Sequence, residues 1–232
     1  EERTLKPIYE AFHLSQSDRS ATSIQVVDTP NKDMSISGSG EVILVGNGVT
    51  SGRITFDGDM TVALVNVNIE AYNGTPITVG GGKVTFELFG ENRLVAKTTG
   101  YSALYNAEGT TVTLRGAGTL VAKGGEFGAG IGSGYQGTCG DITISGGVVV
   151  AEGGNGSAGI GSGYYYSRCG EILISGGKVT ARGSDGAAAI GAGKNGPCSS
   201  IVLENCEIHV PGDGKGGLSG ANGIVAGSVV PD

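Results

Sequence analysis

Proline is scarce in this chain, aromatic residues are few, basic residues never cluster and no apolar stretch runs long. Each shortage removes a class of protein. Six prolines accompany 46 glycines, and the glycines follow no three-residue period, so a collagen-like triple helix is excluded. Fifteen basic residues stand against 22 acidic ones, a net charge of −7 with no Lys/Arg patch to track phosphates. Nucleic acid and anionic membrane surfaces are therefore poor partners. No apolar run approaches the roughly 20 residues that cross a bilayer, so membrane insertion is not expected. The chain opens at Glu1 without a signal-peptide apolar region, as expected of a mature or excised fragment. Its two histidines, His13 and His209, have no Ser, Cys or Asp arrangement that reads as a triad.

What the chain has instead is repetition. Gly128-Ala129-Gly130-Ile131-Gly132-Ser133-Gly134 returns as Ala158-Gly159-Ile160-Gly161-Ser162-Gly163 and again as Ala189-Ile190-Gly191-Ala192-Gly193. Around this loop, two apolar runs alternate with period two. Met34/Ile36 lead to Val42/Leu44, Val62/Leu64 to Val67/Ile69, and Phe86/Leu88 to Leu94/Ala96. Val112/Leu114 lead to Leu120/Ala122, Ile142/Ile144 to Val149/Ala151, Ile172/Ile174 to Val179/Ala181, and Ile201/Leu203 to Ile208/Val210. A third run intervenes at Ile54/Phe56, Ile77/Val79, Leu104, Ile131, Ile160 and Ile190.

Three short strands per repeat of 25–30 residues make an all-β fold, a single parallel β-helix of about seven coils. Crossover handedness favours the right-handed form. The β-helix is expected over 23–210. Leu5, Ile8, Tyr9 and Phe12, spaced as on a short amphipathic helix, suggest an N-terminal helical cap over 1–22. Residues 211–232 break the pattern and read as a C-terminal loop or end cover, with Ile224-Val225 a candidate last strand.

The glycine loop invites comparison with a phosphate cradle, but no helix follows it and it recurs in register, so it reads as a stacking corner. Cys139, Cys169 and Cys198 share one register position, and Cys206 replaces the glycine at Gly147 and Gly177. Neighbouring rungs stand within disulfide reach, so the column admits a disulfide or a row of buried thiols. Metal ligation is the poorest fit, because the spacings match no zinc pattern. Asp141/Glu171 and Asp57/Asp59 read as solvated strand and turn carboxylates. Calcium has no support from a repeated Gly-Gly-x-Gly-x-Asp signature, and no cofactor is expected.

The tyrosines are the most informative side chains. Tyr101, Tyr105, Tyr135, Tyr164, Tyr165 and Tyr166 fall near third-run loops, with Tyr135 and Tyr164 in one column that Lys194 continues, and Arg168 close by. An exposed tyrosine offers an apolar ring face and a polar tip, which suits sugar stacking or a protein contact.

The repeat Ala-Gly-Ile-Gly-Ser-Gly … Gly-Asp-Ile-Thr-Ile-Ser-Gly-Gly-Val-Val-Val-Ala-Glu-Gly-Gly resembles modules of bacterial secreted and cell-surface right-handed β-helix proteins. The earlier turns, with Leu88-Phe89-Gly90-Glu91-Asn92-Arg93-Leu94, look like β-helical carbohydrate-binding domains related to pectate lyases. The likeness implies a secreted or cell-surface location and a glycan ligand. No catalytic motif of the lyases can be placed on these residues, which leans against an enzyme. The expectation is a non-catalytic carbohydrate-binding module contacting ligand through Tyr135, Tyr164, Tyr165, Tyr166, Arg168, Tyr105 and Tyr101. The alternatives are an adhesin-like structural rod that binds a protein partner and a polysaccharide lyase or hydrolase.

Overall fold

The computed structural model describes residues 24–210 together with 218–219 and 224–225. Among these residues all regular structure is β, and no helix is long and apolar enough to cross a membrane. The helical cap expected over 1–22 lies outside them.

Three parallel sheets surround one core. A nine-stranded sheet includes Gly40–Val45, Met60–Val65, Lys83–Phe89, Thr111–Gly116, Asp141–Ile144, Cys169–Ile174 and Cys198–Leu203. A seven-stranded sheet carries Asn68–Ala71, Glu91–Ala96, Thr119–Lys123, Val148–Glu152 and Lys178–Arg182. An eight-stranded sheet begins with Met34–Ser37, Ile54–Asp57, Ile77–Gly81 and Leu104–Asn106. It then narrows to the two-residue strands Ile131–Gly132, Ile160–Gly161 and Ile190–Gly191. Successive strands of a sheet come from successive turns, so the chain is a parallel β-solenoid of the right-handed type.

The expected seven coils are corrected to about five full turns. Only the turns beginning at Ile54, Ile77, Leu104, Ile131 and Ile160 have all three strands paired on both sides. Met34–Ser37, Val49–Thr50 and Glu207–His209 each end a sheet, so the outer turns are incomplete. Beyond them, Leu218–Ser219 pairs with Ile190 and Gly191, and Ile224–Val225 pairs with Ile201 and Val202.

Period-two alternation sends like residues inward in columns. Val62 pairs with Phe86, Phe86 with Leu114, Leu114 with Ile144, Ile144 with Ile174, and Ile174 with Leu203; all six are buried. Phe56 and Phe86 meet edge to face at 5.5 Å between ring centres. Each such side chain contributes on the order of 1.5–3 kcal/mol by leaving water. Asn92 is a buried polar exception with its hydrogen bonds met. Its Oδ1 accepts from Val67 N–H at 2.9 Å, and its amide donates to the carbonyls of Phe89 and Thr119 at 3.1 Å each.

Three registers differ from the repeat pattern read in the sequence; in one, Leu120 and Ala122 pair with Asn92 and Leu94 rather than with Leu94 and Ala96. Met34 and Ile36 pair with Ile54 and Phe56, while Val42 and Leu44 pair with Val62 and Leu64; the first turn therefore begins one sheet earlier than its pattern suggests. Leu114 pairs with Phe86 rather than Leu88, a slip of two residues that leaves the same side chains inward.

Candidate functional site

The site grows from the glycine corner. Gly132, Gly161 and Gly191 hold φ of +126°, +130° and +124°, and a Cβ at Gly132 or Gly161 would overlap the carbonyl of the glycine one turn on. Only glycine allows rungs to close this tightly with that backbone. Buried serines pin the loops that follow: Gly163 N–H donates to Ser133 Oγ at 3.0 Å, and Gly193 N–H donates to Ser162 Oγ at 2.8 Å.

Above this rigid floor the loops carry an aromatic cluster. Tyr135 and Tyr164 lie 6.1 Å apart between ring centres, Tyr164 and Tyr165 5.7 Å, and Tyr165 and Tyr166 4.7 Å in an edge-to-face pair. Phe127, which sequence reasoning missed, closes the group at 5.8 Å from Tyr135 and 5.1 Å from Tyr164. Tyr135, Tyr165 and Tyr166 are exposed, the last at 67%.

The backbone beneath these rings is strained. Phe127, Tyr165 and Tyr166 hold φ of +66°, +65° and +56°, a region bulky residues rarely occupy. At the position of Phe127, four residues before the corner isoleucine, the next two turns carry Gly156 and Gly186 at φ +69° and +84°. Gly156 also leaves space for the Tyr164 ring, into which a Cβ would run.

Tyr101 and Tyr105 do not join the cluster. They line an adjacent cleft of about 610 Å³ on the outer face of the eight-stranded sheet. The cleft borders the cluster: Gly134 and Gly137, which flank the Tyr135 loop, form one edge, and Tyr135 N–H donates to the Gly100 carbonyl at 3.0 Å. At the far end Arg53 is held by the Asp33 carboxylate through an ion pair, and its Nη1 donates to the Asn73 carbonyl at 2.7 Å. Hydrogen bonding from Arg53 lowers the Asp33 carboxyl to about 2. Tyr105 donates its hydroxyl to the Thr138 carbonyl at 3.1 Å, and partial burial raises its pKa. Arg168 is exposed next to the cluster's loop and forms no ion pair among the described residues; Lys194 pairs with Asp185 at 3.3 Å.

The remaining candidates serve the stack. Asp141 Oδ1 accepts from Glu171 N–H, and Asp59 Oδ1 from Lys83 N–H, each at 2.8 Å. Among the described residues no group of three or more His, Cys, Asp or Glu could hold a metal ion. Cys169 and Cys198 are joined as a disulfide with Cα atoms 4.7 Å apart, and Cys139 and Cys206 are free and buried. Burial pushes the Cys139 thiol up to about 12, so it stays protonated at neutral pH.

No curated protein and no solved structure matches the chain. A family model described as a β-helix repeat matches residues 112–135, 142–164 and 172–194. Each matched segment contains one corner isoleucine and the loop after it, and the first two end on the loops that bear Tyr135 and Tyr164. By this match and its stacked sheets, the chain is a parallel β-helix repeat protein.

Proposed function

We propose that the chain is a non-catalytic carbohydrate-binding module that takes its ligand on the flank carrying the aromatic cluster. The observation behind this reading is the coincidence of exposure and strain: Tyr165 and Tyr166 are exposed, and with Phe127 they occupy backbone where glycine or asparagine would be cheaper. Strain of roughly 1–3 kcal/mol per residue persists where the rings are needed for something other than stability. Half-exposed tyrosines supply ring faces for sugar stacking and hydroxyls for its polar edge. The Cys169–Cys198 disulfide favours an oxidising compartment, in line with a secreted or cell-surface location. The likeness to bacterial pectate-lyase-related binding domains supports the same reading.

The test is a glycan array with the intact protein and with Tyr164→Ala and Tyr166→Ala. Retention that disappears in both variants, with melting temperatures preserved, supports the proposal. A second reading, an adhesive rod with a protein partner, is favoured by one feature: the rings pack on one another as a compact apolar patch. A blank array beside strong capture of a surface protein would establish that reading instead.

A further inference from the structure

The cleft beside the cluster has a chemistry of its own. Its floor is a column of outward side chains set by register: Ser35 pairs with Thr55, Thr55 with Thr78, and Thr78 with Tyr105. The hydroxyls of Ser35, Thr55 and Thr78 thus repeat along the axis at about 4.8 Å, each able to donate and accept, while the Tyr105 hydroxyl is already donated to the Thr138 carbonyl. Tyr101, 43% exposed, supplies an aromatic wall. Ser102 also lines the cleft; it is 1% exposed, yet its Oγ has no hydrogen-bonding partner.

The charge pattern selects among ligands. The cation lining the cleft, Arg53, is neutralised by Asp33, which lines it too. Across the working pH range Asp33 stays ionised and the pair presents no net positive charge. A carboxylated sugar would meet −7 of protein charge and no unpaired cation among the residues lining the cleft. The volume falls within the usual range for small-ligand sites.

We infer that this cleft is a saccharide subsite that accepts uncharged glycan units through its hydroxyl column and Tyr101, and discriminates against uronates through the Asp33–Arg53 pair. The inference rests on the carbohydrate reading above and narrows its ligand class to uncharged glycans.

The experiment is calorimetric titration of the intact protein with neutral oligosaccharides (gluco-, xylo-, manno- and galacto-configured) and with oligogalacturonate. The variants are Tyr101→Ala, Thr55→Val, Asp33→Asn and Tyr166→Ala, each checked for folding by circular dichroism. The intact protein is expected to bind a neutral oligosaccharide, about tenfold more weakly in Tyr101→Ala. Thr55→Val, nearly isosteric, should weaken binding in the same direction, and Asp33→Asn, by freeing Arg53, should raise affinity for oligogalacturonate. Tighter binding of oligogalacturonate than of every neutral chain by the intact protein overturns the inference. So does neutral binding lost in Tyr166→Ala but unchanged in Tyr101→Ala and Thr55→Val, an outcome that leaves the aromatic-cluster reading standing. Retention of no glycan of either kind sinks both.

Discussion

Tyr166 is the residue whose exposure and backbone disagree most. Two-thirds of it is open to solvent, its ring touches Tyr165 at one edge, and its φ of +56° is costly for a bulky side chain. Asparagine tolerates that conformation, as Asn195 and Asn66 do at φ +67° and +52°. Tyr166→Asn is therefore expected to stabilise the fold by about 1 kcal/mol, roughly 2–4 °C in melting temperature, while weakening glycan retention. A lower melting temperature, or undiminished retention, would show that the ring serves packing. The tyrosines were legible because they are rare and share a register. Phe127 was not: its counterparts are Gly156 and Gly186, so no column of aromatics marked it. The available signal was an aromatic standing at a glycine position of the repeat.

At the scale of the strand and corner, the glycine loop shows how sequence periodicity becomes close approach. Gly161 combines φ +130° with a neighbouring carbonyl that a Cβ would overlap, whereas Gly109 holds φ +79° with open space around it. Gly109→Ala should carry only the conformational cost, about 1 kcal/mol, and Gly161→Ala clearly more, at least about 2 kcal/mol, in chemical denaturation. Equal losses would mean that rung contact at the corner contributes nothing. The same periodicity explains what the sequence left ambiguous. An alternating apolar pair beside a glycine occurs at more than one corner of the triangle, so Met34/Ile36 resemble Val62/Leu64 although they stack on Ile54/Phe56. The Phe86–Leu114 pairing slips by two residues without moving any side chain across the sheet, which leaves the hydrophobic pattern blind to it. The cleft depends on those N-terminal registers. Asp33, Arg53 and Ser102 come from separate turns, and their meeting could not be read until the turns were correctly phased.

For the whole molecule, the solenoid's stability is a sum over turns and their interfaces, so its two ends can loosen separately. The Cys169–Cys198 bond links adjacent turns across a separation of 29 residues, and closing a loop of that size in the unfolded chain is worth about 3–4 kcal/mol in the chain-entropy description. It lies on the turn that bears Tyr164, Tyr165 and Tyr166, whereas the cleft is built mainly on the turns from Met34 to Tyr105. Removing the bond by Cys169→Ser with Cys198→Ser should therefore act at one end. Hydrogen exchange is expected to accelerate over residues 164–208 while amides of the strands from Met60 to Gly116 keep their protection, because those strands pair with one another independently of the cysteines. Glycan contacts through the aromatic cluster should weaken with the loosened turns, and contacts through Tyr101 and the hydroxyl column should persist. Uniform loss of protection along the rod would mean that the turns unfold as one cooperative unit, and the separate behaviour of cluster and cleft would fall with it.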